Sequence, residues 1–149
     1  MQAGQRSTFR EQHVPSFAAS ASAICRFYFP RATRVKRYYA VPEVAEAAHA
    51  TQVLAVTFVN KGTAGAGSTT LAVLTNDSDL ADSTTRQSGA WVANDALELD
   101  TENRPGSPTH LENTADSIAA GEVVEATAAK AAGTATGSLT VGMEVVESS

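Results

Sequence analysis

The chain has one cysteine, one tryptophan and no long apolar run, and each scarcity closes off a class of protein. A lone thiol, Cys25, cannot close an internal disulfide framework or furnish a Cys-based zinc site. No stretch approaches the roughly 18 apolar residues that a membrane-spanning helix requires. The first residues, with Arg6, Arg10, Glu11 and His13, lack the continuous apolar stretch of a secretory signal, so synthesis and assembly in cytoplasm are expected. Aromatic residues make up only 6% of the 149 positions, and much of the 43% apolar fraction is alanine. Alanine buries little area, so the core must come from the Val, Leu, Ile, Phe and Tyr positions.

Signatures of catalysis are as scarce. The run GTAGAGST (62–69) has the glycines of a phosphate loop but Ala66 and Gly67 ahead of Ser68, where a lysine is needed. That run also joins two strand-like segments, so no helix N-terminus follows to receive an anion. Asp77, Asp79 and Asp82 resemble half of a calcium loop, yet the EF-hand template demands Gly at residue 82 and Glu at residue 88, where Asp and Ser stand. A loop-bound calcium shared with Asp100 or Glu102 stays open, beside the simpler reading of a solvated acidic loop. His13, His49 and His110 show no local metal-ligand spacing, and the G-x-S-x-G nucleophile elbow is absent. Neither a cofactor nor an enzymatic activity is expected.

What is present is charge polarity and alternation. Residues 1–37 hold seven of the eleven Lys and Arg with one acid, Glu11, whereas 38–149 hold four basic residues against fifteen acids. A basic front of about +6 thus precedes an acidic body of about −11, a pattern suited to meeting an acidic partner. Basic residues interleaved with aromatics in RFYFPRATRVKRYY invite a nucleic-acid reading, but the acidic body would repel a polyanion.

Residues 1–21 show no sustained period and read as an extended basic arm, ordered only where it lies on another surface. Residues 22–149 read as the folded unit. Cys25, Phe27 and Phe29 alternate along one strand that Pro30 ends. Val35, Tyr39 and Val41 share a face of the next, with Arg34, Lys36 and Tyr38 opposite and Arg37 interrupting. PEVAEAAHA (42–50) is a short helix candidate, with Pro42 suited to a first turn. The run from Gln52 to Asn60 is apolar on both faces and should be central in its sheet, pairing with 70–75 as a hairpin. Two short strands are expected around Trp91–Val92 and Leu97–Leu99, with long loops over 76–89 and 100–113. The last strand alternates for eight residues, with Leu139, Val141, Met143 and Val145 inward. Such a succession predicts an all-β chain, a single jelly-roll-like sandwich with an N-terminal arm.

ICRFYFPRATRVKRYYAV, followed by QVLAVTFVN, resembles the opening of small β-sandwich proteins encoded among tailed-phage head genes. IAAGEVVEATAAKAAGTATGSLTVGMEVVES resembles their ending, where an A-G-[DE] turn opens a strand and a Gly/Thr/Ala-rich hairpin leads to an alternating last strand. The resemblance implies a head decoration or cement protein, a homo-oligomer (dimer or trimer) on the outer surface of the capsid that binds the major capsid protein. With the charge polarity, it makes Arg6, Phe9, Arg10 and Phe17 of the arm and Arg26, Arg34, Lys36 and Arg37 of a basic first hairpin the expected capsid contacts. The rival reading is a head fibre or spike binding host-surface glycans, which should expose Trp91 and the acidic loops at one end.

Overall fold

The computed structural model describes residues 7–101 and 117–147. Ten strands form two five-stranded sheets, and no helix occurs among the described residues. In the first sheet β1 (Thr8–Val14), β10 (Leu139–Glu147), β3 (Thr33–Pro42) and β7 (Leu97–Asp100) lie side by side, and β8 (Ser117–Ile118) also pairs with β3. The second sheet runs β2 (Ser22–Phe29), β9 (Glu122–Lys130), β4 (Leu54–Gly62), β5 (Thr69–Thr75) and β6 (Arg86–Ser88). The all-β sandwich is as expected, and β4 is the middle strand of its sheet.

Period-two alternation builds the core. Leu139, Val141, Met143 and Val145 of β10 are all buried and face Phe27, Phe58 and Val124 of the second sheet's inner surface within one cluster. Phe58 and Tyr38 meet across the sheets with ring centroids 5.0 Å apart. Each such side chain removed from water contributes about 1.5–3 kcal/mol before entropy is counted. Cys25 lies on the same face as Phe27 and Phe29, and burial raises its thiol pKa. It is a core thiol, as its alternation indicates.

Four expectations are corrected. The segment 1–21 is not an arm outside the sandwich over its described part, because β1 pairs with β10 from Thr8↔Val145 to Val14↔Leu139. The extended surface it needed is supplied by the chain's own last strand. Second, β2 and β3 are no hairpin: Pro30 and its neighbours turn the chain from one sheet into the other. Third, 42–50 is not helical. Nine residues are too few for a stable isolated helix, and here the backbone finds strand-type partners instead. Glu46 N–H donates to the Trp91 carbonyl at 2.9 Å and Trp91 N–H returns to Glu46 at 2.8 Å. That isolated bridge is also all that Trp91 contributes in place of the expected strand. Fourth, the loop 76–89 contains β6, parallel to β5.

The face assignment of β3 changes as well. Opposite β10, Val145 pairs with Val35 but Glu144 pairs with Arg37, so Lys36 is an extra residue in a β-bulge. The bulge shifts the parity by one. Val35, Tyr38 and Ala40 face the core, whereas Arg37 and Tyr39 turn to the outer surface of the first sheet. Thr101 anchors this irregularity from below: its N–H donates to the Lys36 carbonyl at 2.9 Å, and its hydroxyl lies 2.7 Å from the Val35 carbonyl oxygen.

Candidate binding surface

The outer face of the first sheet carries a compact cluster that its register dictates. Phe9, Glu144 and Arg37 occupy one row across β1, β10 and β3, and Glu11, Gly142, Tyr39 and Glu98 occupy the next. Phe9 is 54% exposed, yet its ring is held on two sides. Its centroid is 6.1 Å from that of Tyr39 at an interplanar angle of 73°, and the Arg37 guanidinium carbon stands 5.7 Å from it. Such edge-on and cation–π contacts fix a ring with little burial.

Arg37 is itself pinned, with Nη1 2.5 Å from Glu98 and Nε 3.7 Å from Glu144. The Tyr39 hydroxyl donates to the Glu11 carboxylate. Burial pushes that phenol well above its ordinary range, and the hydrogen bond and negative charge of Glu11 push the same way. The hydroxyl therefore remains a donor through any physiological pH. Gly142 makes this contact possible, since it leaves room under the ring where another residue would place a side chain.

The other expected contact residues are dispersed. Arg10 faces the opposite way from Phe9 and closes the open side of the sandwich. Its Nη2 donates to the Tyr28 carbonyl at 2.8 Å, its guanidinium lies 4.7 Å from the Phe29 ring centroid, and Glu147 is 3.8 Å away. Gln12 likewise donates to the Arg26 carbonyl. Together they cover carbonyls along the edge of β2 that no strand pairs. Arg26 stands on the outer face of the second sheet, 3.3 Å from Glu125. Phe17 packs partly buried against the core, exchanging hydrogen bonds with Thr136. Lys36 donates to the Ser7 hydroxyl at 3.3 Å, and Arg34 is exposed opposite Ser117. Arg6 lies outside the described residues.

Of the eight, then, Phe9 and Arg37 are brought into one cluster. The polarity of the sequence folds into pairs, with Arg10, Arg26 and Arg37 each facing an acid from the later part of the chain. Glu11, Glu98 and Glu144 complete the cluster with Tyr39, which the sequence offered only beside Tyr38 and Trp91 as a sugar-stacking surface. The outward turn of Arg37 and Tyr39 rests on the bulge, which no residue type announces.

The remaining candidates take structural roles. Trp91 is 1% exposed and its indole N–H donates to the Leu54 carbonyl at 3.3 Å, so it offers no sugar-stacking platform. Asp82 accepts the Ser88 N–H at 2.7 Å, and Asp77 accepts that of Asp79 at 2.9 Å. Among the described residues, no three His, Cys, Asp or Glu side chains are grouped to hold a metal ion. Glu102, His110 and most of the loop 100–113 lie outside the described residues. His49 uses Nδ1 to accept the N–H groups of Thr51 and Gln52, both at 3.0 Å. The glycine-rich run 62–69 is the β4–β5 turn, with Gly62 and Gly65 at positive φ.

In comparisons with known proteins, no family model, no curated protein and no solved structure matches this chain.

Proposed function

We propose that the protein is a structural component of a phage head, binding the outer surface of the capsid as a decoration or cement protein without catalysing a reaction. The reading starts from the resemblance of its opening and closing segments to such proteins. The observation that carries it furthest is Phe9: an exposed aromatic on an edge strand, held by Arg37 and Tyr39 before any partner arrives. A ring that is already ordered loses little entropy on docking, and aromatic and arginine side chains dominate protein interfaces. The contact is an aromatic anchor ringed by paired charges, which replaces the bare basic clamp suggested by the sequence. The ion pairs around it set orientation and exclude wrong partners more than they add affinity.

Because residues 8–14 form β1, deleting the N-terminal segment would strip an edge strand and confound binding with stability. The discriminating variant is Phe9→Ala in the full chain. Purified heads lacking the protein are incubated with wild type or variant, and occupancy is counted by electron cryomicroscopy and by gel stoichiometry. Occupancy should fall at least about tenfold, the effect of truncating an interface anchor. Wild-type occupancy by a folded Phe9→Ala protein would defeat the assignment of this surface, and no binding by wild type would defeat the capsid reading itself.

A further inference from the structure

The outer face of the second sheet carries few charged residues for a sheet face with no layer over it. Its rows follow from the register. Ile24, Thr127, Thr57 and Val73 lie across β2, β9, β4 and β5, and Ala129 and Ala55 flank that row on one side. On the other side Arg26 and Glu125 stand next to Val59, followed by Tyr28 beside Val123. Ile24 is 52% exposed and Tyr28 57% exposed. Antiparallel sheets with one wet face alternate apolar-in with polar-out. Here, apart from the Arg26–Glu125 pair and Tyr28, the outward set is β-branched or small, with Thr57 and Thr127 its polar members, and no further layer of the described chain covers it.

We infer that this face is an isologous interface to a second copy of the same chain. Charge selects that occupant. In the rows just described the charged residues are Arg26 and Glu125, which lie 3.3 Å apart and cancel, with Arg86 at the far rim beside Val73. The chain carries −5 overall, so two copies approaching through other surfaces tend to oppose like charge, whereas this face brings only Arg86 at its rim. A twofold axis beside the pair also lets each Arg26 reach the partner's Glu125, so the charges are complementary under the symmetry that a dimer imposes.

Area agrees. Four strands about 4.8 Å apart and about eight residues long present a footprint of about 500 Å² per copy. Two copies bury about 1,000 Å², the lower bound for a biological interface and the size of a weak, concentration-dependent one. Shape is favourable as well, because a hollow of about 390 Å³ bounded by Ser22, Ala55 and Ala129 adjoins the protruding Ile24. Face-to-face stacking of two such sheets at about 30° is a packing that β-sandwiches commonly use. The inference is independent of the capsid reading, which concerns the opposite sheet.

Sedimentation velocity of the full chain, from low micromolar to several hundred micromolar without capsids, tests it. Wild type should shift from monomer to dimer. Thr57→Arg and Ile24→Asp, at half-exposed and exposed positions outside the core, should keep the circular dichroism spectrum and melting temperature while raising the dissociation constant about tenfold or more, as an unpaired charge in an interface does. Asp95→Lys, an exposed change on the first-sheet side, should leave it unaltered. A wild type monomeric throughout, a trimer, or folded Thr57→Arg and Ile24→Asp proteins that dimerise normally would each overturn the inference. So would a monomer whose Thr57→Arg variant loses capsid occupancy, since the face would then belong to the capsid contact.

Discussion

Lys130, 2% exposed at the end of β9, has its ammonium held by both carboxylate oxygens of Glu46, at 2.9 and 3.1 Å. The pair ties the irregular segment after β3 to the second sheet, beside the Glu46–Trp91 bridge. Asn76 works at the same end, accepting the Leu54 N–H at 2.8 Å and donating to the Ala47 carbonyl at 2.8 Å. Removing the anion alone would strand a cation where water does not reach. Glu46→Gln should therefore cost about 3–5 kcal/mol, whereas Lys130→Met combined with Glu46→Leu should fall within about 1–2 kcal/mol of wild type. Urea unfolding of Glu46→Gln and of the double variant measures both figures. If Glu46→Gln unfolds at the wild-type midpoint, the pair does not hold this segment.

The bulge at Lys36 makes a second prediction. Without a regular ladder there, the Val35 and Lys36 carbonyls depend on Thr101, whose side chain is buried. Thr101→Val keeps the shape and the backbone N–H but deletes the hydroxyl donor. A buried carbonyl left short of its partner costs about 1–3 kcal/mol, and chemical denaturation should show a loss of that size. Thr101→Ser, which keeps the hydroxyl, should recover most of it.

These two features mark where sequence reasoning stops. β2 and β10 were legible because period-two alternation is a strong signal. β4 and β5 were legible because a run apolar on both faces is followed by a turn and a return strand. The alternation also placed Cys25 and Met143 in the core. Parity along β3 was not legible. One extra residue exchanged Tyr38 and Tyr39 between core and surface, and nothing in the letters V-K-R-Y-Y distinguishes a bulge from a regular strand. β1 was missed because an edge strand contacts the core through few residues, here Val14 with Arg10 and Gln12 turned toward β2. Its composition therefore reads as an arm. The candidate surface was half legible. Phe9 and Arg37 were named from composition and charge, but Glu98 and Glu144 reach them from two other strands, β7 and β10, and that convergence exists only after folding.

Gly142 carries the third prediction. A β-carbon there would stand 2.7 Å from the Arg10 carbonyl oxygen and 2.7 Å from the Tyr39 hydroxyl. Neither can yield easily, since the first is backbone of β1 and the second is hydrogen-bonded to Glu11. Gly142→Ala should destabilise the fold by about 1–3 kcal/mol, the usual cost of overpacking. It should also loosen β1 selectively: amide exchange over residues 8–14 should accelerate while that of β4 and β9 stays slow. Uniform acceleration across both sheets would show that β1 is not a separately releasable edge.

The start of β10 is pinned to the segment after β3 by Glu43 and Ser138. Glu43 N–H donates to the Ser138 carbonyl at 2.8 Å, while the Ser138 hydroxyl and N–H both donate to the Glu43 carboxylate, at 2.8 and 3.3 Å. The hydroxyl does most to hold the carboxyl pKa below its ordinary range. The backbone donor and the charge of neighbouring His13 act in the same direction. A carboxylate depressed in the folded state adds stability above its unfolded pKa, and that stability is lost as pH falls through the lower, folded value. Ser138→Ala should raise the Glu43 pKa toward the ordinary carboxylate value, and carboxyl-detected NMR titration reads that shift directly. The variant's stability deficit should be present at neutral pH and shrink in acid, once Glu43 is protonated in both proteins. A deficit unchanged from neutral to strongly acidic pH would mean that the hydroxyl's contribution does not depend on the charge of Glu43.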